Sequence, residues 1–454
     1  MTDKEIILAQ RDIIASQAHQ IKMLEAKVVY LLEQLAKLSI KKDSRNSSLA
    51  PSTDKFKKTK SLRKPSTRKS GGQPGHKGHT LEMRGTPDKV IDLRSGFCSI
   101  CSAGLNSGLH VLKAKRQLVE LPEIKPIYTE YRQYGCTCNE CGHLQVADFP
   151  SNVNSPVQYG SSVDTLVGYL SVYQSVPYKR LKEMCSQVFS LPLSEGTVDN
   201  ILNRVALKCD VVYEHIKSEI STASVVGSDE TGAKVDGDTW WIWTWQNVMN
   251  TFIVASPNRG SKTIDSIFAK GFVNATLLSD RWSAQLKTYA KNHQLCLAHL
   301  LRDLTFLEEL EKHDFSTEFK TLIGAVFDLK RLQNLQNNPC QRDAPEAILL
   351  EKKINKLLGI PIDAKKHPKS LTFQKSMIKY RGYLLPCIYD LGIAPDNNAS
   401  ERAIRIIKVK QKVAGQFKTG QHAFCVIRSV IDTLCKRKLE VIHHLNLINQ
   451  LQPE

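Results

Sequence analysis

Apolar residues recur every seventh position at the start of the chain, at Ile7, Ile14, Ile21, Val28 and Leu35, with Leu24, Leu31 and Leu38 three residues later. β-Branched residues at the first heptad position and Leu at the second favour a parallel two-stranded coiled coil. Residues 1–40 are therefore expected to form a coiled-coil helix pairing with a second copy; a helix packed on its own protein is the alternative. Gln10 and Gln17 interrupt the second position.

The periodicity lapses over residues 41–85, where Ser, Pro, Gly and Lys dominate and a flexible basic linker is expected. Helical spacing returns over 155–215 in "SSVDTLVGYLSVYQSV", "YKRLKEMCSQVF" and "SEGTVDNILNRVALK", the last beginning at Ser194. The second and third of these resemble a helix-turn-helix, so this region reads as a helical DNA-binding domain, although many such helix pairs bind nothing.

Strand patterns follow. "ASVVGSDETGAKV" reads as a strand ending at Asp229, "VDGD" as a hairpin turn, and "TWWIWTWQN" and "TFIVASP" as its antiparallel successors. "SKTIDSIFAK" is then a helix, "ATLLSD" a strand ending at Asp280, "SAQLKTYAKN" a helix, "HQLCLAH" a strand and "LLRDLTFLEELEK" a helix. Helices between the later strands allow right-handed crossovers to parallel neighbours. If the first and fourth strands are neighbours, Asp229 and Asp280 project side by side and repel unless a cation joins them. Hard ions such as Mg²⁺ take oxygen ligands, and two of them suit phosphoryl transfer. Glu230 should face the other side of its strand.

These strands define an α/β domain over 222–312, and 431–454 reads as a helical tail. The whole is a multidomain α+β chain. Residues 86–150 hold Cys98-x-x-Cys101 and Cys138-x-x-Cys141, paired turns that suit a structural Zn²⁺ in a zinc-ribbon-like domain. "VLKAKRQLVEL" and "IYTEYRQYG" would be its strands, and Cys136 is an alternative ligand to Cys138. Buried, unligated cysteines are the other reading.

Charge sharpens this picture. The 454 residues carry a formal charge of +18, and 41% hydrophobic content is ordinary for a folded protein. Lys41 to Thr80 alone holds twelve Lys and Arg against two Asp. A polyanion, nucleic acid first, is the expected partner. In "GGQPGHKGH", His76 and His79 have ligand-like spacing, but His76 and Lys77 in a basic glycine-rich loop point rather to the DNA backbone, with an inert loop the alternative. No long apolar run or signal segment is present, so no membrane is expected and the twelve cysteines should be reduced thiols of a cytoplasmic protein.

In "PDNNASERAIRIIKVK", Glu401 opens an otherwise basic helix. Asn398-x-x-Glu401 has the spacing of a capping box, which competes with a chemical role. Taken with "SRNSSLAPS", "GGQPGHKGH", "VPYKRL", "SDETG", "LLSDRW", Cys296-Leu297-Ala298-His299 and "DNNASERAIR" in this order, the chain resembles the DDE transposases of the insertion-sequence-66 type. The resemblance implies an RNase H-like catalytic domain over 222–312 and 394–430, interrupted by a helical insertion over 313–393, with Asp229, Asp280 and Glu401 as carboxylates holding two Mg²⁺ or Mn²⁺ ions. Cys296, His299 and Asn398 would support them, and Arg402, Arg405 and Lys408 would meet DNA phosphates unless they form only a solvated face. With Glu401 a metal ligand, Asp396 or an Asn is expected to cap the helix instead.

The implied activity is cleavage at the element's terminal inverted repeats and joining of the 3′-OH to target DNA. A homodimer or higher oligomer, accessory proteins of the same element and a bacterial, nucleoid-associated location are implied with it. "SDRWSAQ" lacks an aromatic that usually follows the second Asp, and "IKVKQKVAGQFKTG" diverges from the family's basic, aromatic segment. The competing functions are another RNase H-like nuclease and a catalytically inactive zinc-containing DNA-binding regulator.

Overall fold

A computed structural model describes residues 3–39, 43, 46–47, 71–78, 80–108 and 110–451. His79 and most of the basic linker lie outside the described residues. Helix α1 (Asp3–Ser39) spans the heptads. Its Ile14, Ile21, Leu24, Val28 and Leu31 are all half or more exposed.

In the cysteine region, strands β1 (Gly135–Thr137) and β2 (Leu144–Val146) pair antiparallel around Cys138 and Cys141. The longer strands expected in "VLKAKRQLVEL" and "IYTEYRQYG" do not form. Val111, Leu112, Leu118, Val119, Leu121 and Tyr128 are exposed, and an alternating pattern becomes a strand only where a partner edge and a buried face receive it.

Helices α2 (Ser161–Gly168), which runs on into a π-helical turn at Tyr169–Tyr173, α3 (Tyr178–Phe189) and α4 (Glu195–Thr222) follow. Ser194 caps α4, its Oγ accepting from the Thr197 N–H at 2.9 Å. Outward on α4 stand Asn203, Leu207, Asp210, Val211 and Glu214. Each of its three basic residues is engaged: Arg204 with Asp164, Lys208 with the Asn449 carbonyl and Lys217 with Glu214.

The sheet comprises β3 (Val225–Val235), β4 (Asp238–Gln246), β5 (Thr251–Ser256), β6 (Phe272–Ser279) and β7 (Ala290–Leu295), in the order β5-β4-β3-β6-β7. Helices α5 (Ser261–Ile267) and α6 (Ser283–Lys287) connect the later strands, and α7 (Leu297–Glu311) follows β7. The first three strands are antiparallel, while β6 runs parallel to β3 and β7 parallel to β6.

Two local expectations change. β3 does not end at Asp229: its parallel pairing with β6 stops at Gly227, but β4 holds it as strand to Val235. β7 ends at Leu295, so Cys296 and His299 lie at the start of α7 rather than in a strand.

Helices α8 (Asp314–Gln336), α9 (Pro345–Leu358), α10 (Pro368–Lys379) and α11 (Pro386–Tyr389) share a second core with α7. Helices α12 (Asn398–Ala414), α13 (Gln421–Lys436) and α14 (Val441–Gln450) complete the chain. One hydrophobic core joins α2, α3, α4 and α13 to the sheet through residues such as Val205, Ile220, Trp245, Phe252 and Ile427. The Tyr213 hydroxyl donates to the Ile253 carbonyl at 2.9 Å within it. Helices α2, α3, α4 and α13 thus share the core of the sheet, because an apolar face is stable only where a partner covers it. No helix among the described residues is long and apolar enough to cross a membrane.

Candidate active site

Directly opposed residues of an antiparallel pair share a face, which places Gly227 and Gln246 on the same side of the sheet as Asp229 and Thr244. The first turn of α12 packs on this side. A Cβ on Gly227 would stand 2.5 Å from Gln246 Nε2, 2.7 Å from Ser400 Oγ and 2.9 Å from Asn397 Oδ1, so only glycine admits the helix. Asn397 Nδ2 donates to the Ser228 carbonyl at 2.7 Å, and the Glu401 N–H donates to the Asn397 carbonyl at 3.1 Å. Glu401 is thus brought to the strand that carries Asp229.

Asp280 follows the last residue of β6. The Trp282 N–H donates to its Oδ1 at 2.8 Å. On the opposite face of β3, Glu230 accepts from Arg259 at 2.9 and 3.1 Å and from Gln285 at 2.7 Å. The Arg259 guanidinium lies between the Trp241 and Trp282 rings, 4.3 and 3.8 Å from their centroids. Glu230 thereby braces the turn after Asp280 from behind, as its strand alternation predicts, and does not join Asp229.

The electrostatics record how close the carboxylates are. Burial, then the Asp280 charge, then Glu230 push the Asp229 pKa well above the usual carboxylate range; the Glu230 N–H opposes them and Glu401 adds to the rise. Burial and then Asp280 raise Glu230 to about 7, against the pull of Arg259. Burial raises Asp396 too, with Glu401 contributing.

Cys296 and His299 stand behind Glu401. The fully buried Cys296 sulfur accepts from the Asn397 N–H at 3.2 Å and lies 3.2 Å from His299 Nδ1. Arg302 Nη1 is 3.1 Å from His299 Nε2 and 3.3 Å from Glu401 Oε1. A guanidinium only donates, so His299 Nε2 accepts and the ring proton sits on Nδ1, facing sulfur. Burial and then Arg302 lower the His299 pKa, which keeps this imidazole neutral. Burial raises the Cys296 thiol to about 12.

Other expected residues fall out differently. Asn398 is already helical and does not cap: Asn397 occupies the cap position, and Asp396 Oδ1 accepts from the Asn398 N–H at 3.1 Å. The Asn398–Glu401 capping box is absent, and Asp396 supplies the cap bond. Arg402 and Arg405 are exposed, but the Lys408 ammonium donates to the Gly232 carbonyl at 2.8 Å. His76 and Lys77 are exposed, away from any described contact with the carboxylates. Arg302, Asn397 and Gly227 carry more of the site than sequence reasoning assigned them. The His-x-x-Arg spacing on one helix face was the available signal for Arg302.

At the cysteines the two turns match. The Cys98 N–H donates to the Ala103 carbonyl and Ser102 N–H to Cys98 O, each at 2.9 Å; Cys138 bonds to His143 at 2.8 Å and Gly142 to Cys138 at 2.9 Å. Backbone N–H groups of Cys101 and Ile100 lower the Cys98 pKa, and those of Cys141 and Glu140 lower that of Cys138. Both turns suit thiolate ligands, and Cys138 rather than Cys136 is the counterpart of Cys98.

Among the described residues no three His, Cys, Asp or Glu side chains are gathered into a ready metal shell. The donor chemistry nevertheless fits. Asp229, Asp280 and Glu401 offer hard oxygens, and the matched turns offer sulfur.

The family model described as Transposase IS66 family matches residues 156–424. A model of a family of unknown function, DUF6444, matches residues 7–82. No curated protein matches the chain.

Proposed function

The chain belongs to the IS66 transposase family, and from that premise we propose that Asp229, Asp280 and Glu401 are the catalytic carboxylates of its DNA cleavage and strand-transfer site. One observation carries the assignment: the Asn397 N–H bonds to Cys296, whose own N–H holds Ser279 beside Asp280, while the Asn397 side chain holds Ser228 beside Asp229, so the turn bearing Glu401 is tied to both aspartate strands. Burial and then the Asp280 charge raise the Asp229 pKa, and a bound divalent cation would relieve that repulsion. The strand order β5-β4-β3-β6-β7, with the carboxylates beside the end of β6, supports an RNase H-like reading of the domain.

Asp229, Asp280 and Glu401 would hold two Mg²⁺ or Mn²⁺ ions, which when bound stabilise the attacking and leaving oxygens of an in-line displacement at phosphorus. The protein's own part is orientation. The Trp282 N–H fixes Asp280 Oδ1, Asn397 ties the α12 turn to β3, and Arg302 holds Glu401 Oε1. Exposed Arg402 and Arg405 would lie along the DNA backbone, whereas Lys408 serves the fold first. In the first step water opens a phosphodiester at the terminal inverted repeat and frees a 3′-OH. In the second that hydroxyl attacks a target phosphodiester, one P–O bond forming as the opposite one breaks.

The heptads of α1 support a homodimer or larger assembly that pairs two ends, and the matched cysteine turns support a structural Zn²⁺ on Cys98, Cys101, Cys138 and Cys141. Action on bacterial nucleoid DNA in the cytoplasm, aided by accessory proteins of the element, completes the reading. Pre-cleaved terminal repeats incubated with target DNA and Mg²⁺ test it. Joined product that disappears in Asp229→Asn, Asp280→Asn and Glu401→Gln supports the assignment. Cleavage without joining would identify a nuclease, and activity unchanged by the three substitutions would remove the carboxylates from the chemistry.

A further inference from the structure

The three carboxylates differ in the cations they already touch. Among the described residues Asp229 and Asp280 form no ion pair, whereas Glu401 Oε1 lies 3.3 Å from Arg302 Nη1 and 3.7 Å from the neutral ring of His299. Arg302 is the fixed positive charge in contact with the cluster. It is held there from behind, because His299 Nε2 accepts from the same nitrogen at 3.1 Å and the His299 ring is anchored on the Cys296 sulfur. Glu401 Oε2 has no hydrogen-bond partner among the described residues.

Arg302 and Glu401 retain 22% and 23% of their side-chain exposure, so solvent screens the pair only in part. An approaching divalent ion meets the guanidinium's repulsion and must also replace its hold on Glu401.

We propose that Arg302 is a resident counter-ion that competes with the divalent metal for Glu401, so that loading of the site requires this pair to loosen. The proposal rests on the reading of Asp229, Asp280 and Glu401 as metal ligands. With Arg302 neutralised, Glu401 stands unbalanced beside the other carboxylates and the site attracts cations more strongly. Arg302 thus sets the metal concentration at which the site fills.

Mn²⁺ binding to the full-length protein, freed of Mg²⁺ and followed by electron paramagnetic resonance, tests this without reference to activity. Arg302→Gln keeps a hydrogen-bond donor and removes the charge; it should bind Mn²⁺ about tenfold more tightly than the wild type. Arg302→Lys keeps a cation and should remain within about threefold of the wild type. Thermal melting of the metal-free proteins confirms folding, and Arg302→Met carries the same expectation should Arg302→Gln not fold. Equal or weaker binding in the neutral variant overturns the proposal. Asp229→Asn, measured in parallel, separates the two readings. If it binds Mn²⁺ like the wild type, the ligand assignment fails and this inference with it; if it loses Mn²⁺ while Arg302→Gln gains nothing, the competition alone is wrong.

Discussion

Asn397 and Cys296 are joined by a hydrogen bond from the Asn397 N–H to the Cys296 sulfur at 3.2 Å, across 101 positions of sequence. This pair triangulates the three carboxylates. The Cys296 N–H donates at 2.8 Å to the carbonyl of Ser279, the neighbour of Asp280, while the Asn397 side chain holds the carbonyl of Ser228, the neighbour of Asp229. Glu401 hangs from the Asn397 carbonyl one helical turn on.

Cys296→Ala leaves the Asn397 N–H and His299 Nδ1 without their acceptor in a buried place. The expected loss is roughly 2 kcal/mol in urea unfolding, with Cys296→Ser losing less because oxygen still accepts. An alanine variant as stable as the wild type would show that the sulfur does not hold the junction.

Gly227→Ala sets a methyl against Gln246, Ser400 and Asn397 at distances that no side chain occupies. About 1–3 kcal/mol of destabilisation is expected from overpacking. Strand transfer should fall further than stability, because the α12 turn that moves away carries Glu401. Equal activity per folded molecule would argue against tight docking of that turn.

Asp229→Asn should abolish strand transfer, yet raise the melting temperature measured in EDTA. The substitution removes a buried carboxylate that Asp280 repels and that, unlike Glu401 with its Arg302, has no ion-pair partner among the described residues. Mg²⁺ should raise the melting temperature of the wild type but not of the variant. A variant that melts lower in EDTA would mean that the Asp229 charge is already compensated.

Lys436 donates to Gln246 Oε1 at 2.8 Å and to the carbonyls of Asn247 and Asn250 at 2.7 and 2.9 Å. Burial lowers its pKa from 10.5 to about 8. Between those values the unfolded chain holds the proton and the native protein has released it, so this residue's contribution to stability rises with pH across the window. The stability difference between wild type and Lys436→Met should grow in favour of the wild type from about pH 8 to about pH 10. A difference that stays flat in urea titrations would place the Lys436 pKa near its ordinary value.

For the cysteines, atomic emission analysis of the purified protein should find stoichiometric zinc. Cys138→Ser should lose it and Cys136→Ser retain it, because the turn hydrogen bonds pair Cys138 with Cys98. Retention in Cys138→Ser would move the ligand to Cys136.

Much of this protein was legible because its signals are local. The heptads forecast a helix over the first residues, Ser194 marked the start of α4, and the alternation from Val225 onward forecast the strands, since periodicity and caps depend on near neighbours. The order of strands and helices set Asp229 and Asp280 side by side only if the first and fourth strands were neighbours, and the pairing of β3 with β6 met that condition. What the sequence could not express was partnership at a distance. "VLKAKRQLVEL" has the alternation of a strand and, among the described residues, no edge to join. Glu401 fitted a capping box equally well until the fold placed Asn397 on Ser228, gave the cap bond to Asp396 and set Arg302 against the carboxylate. Local order followed from the residues themselves, whereas the electrostatics of the site were decided by which distant groups burial brought within a few ångströms.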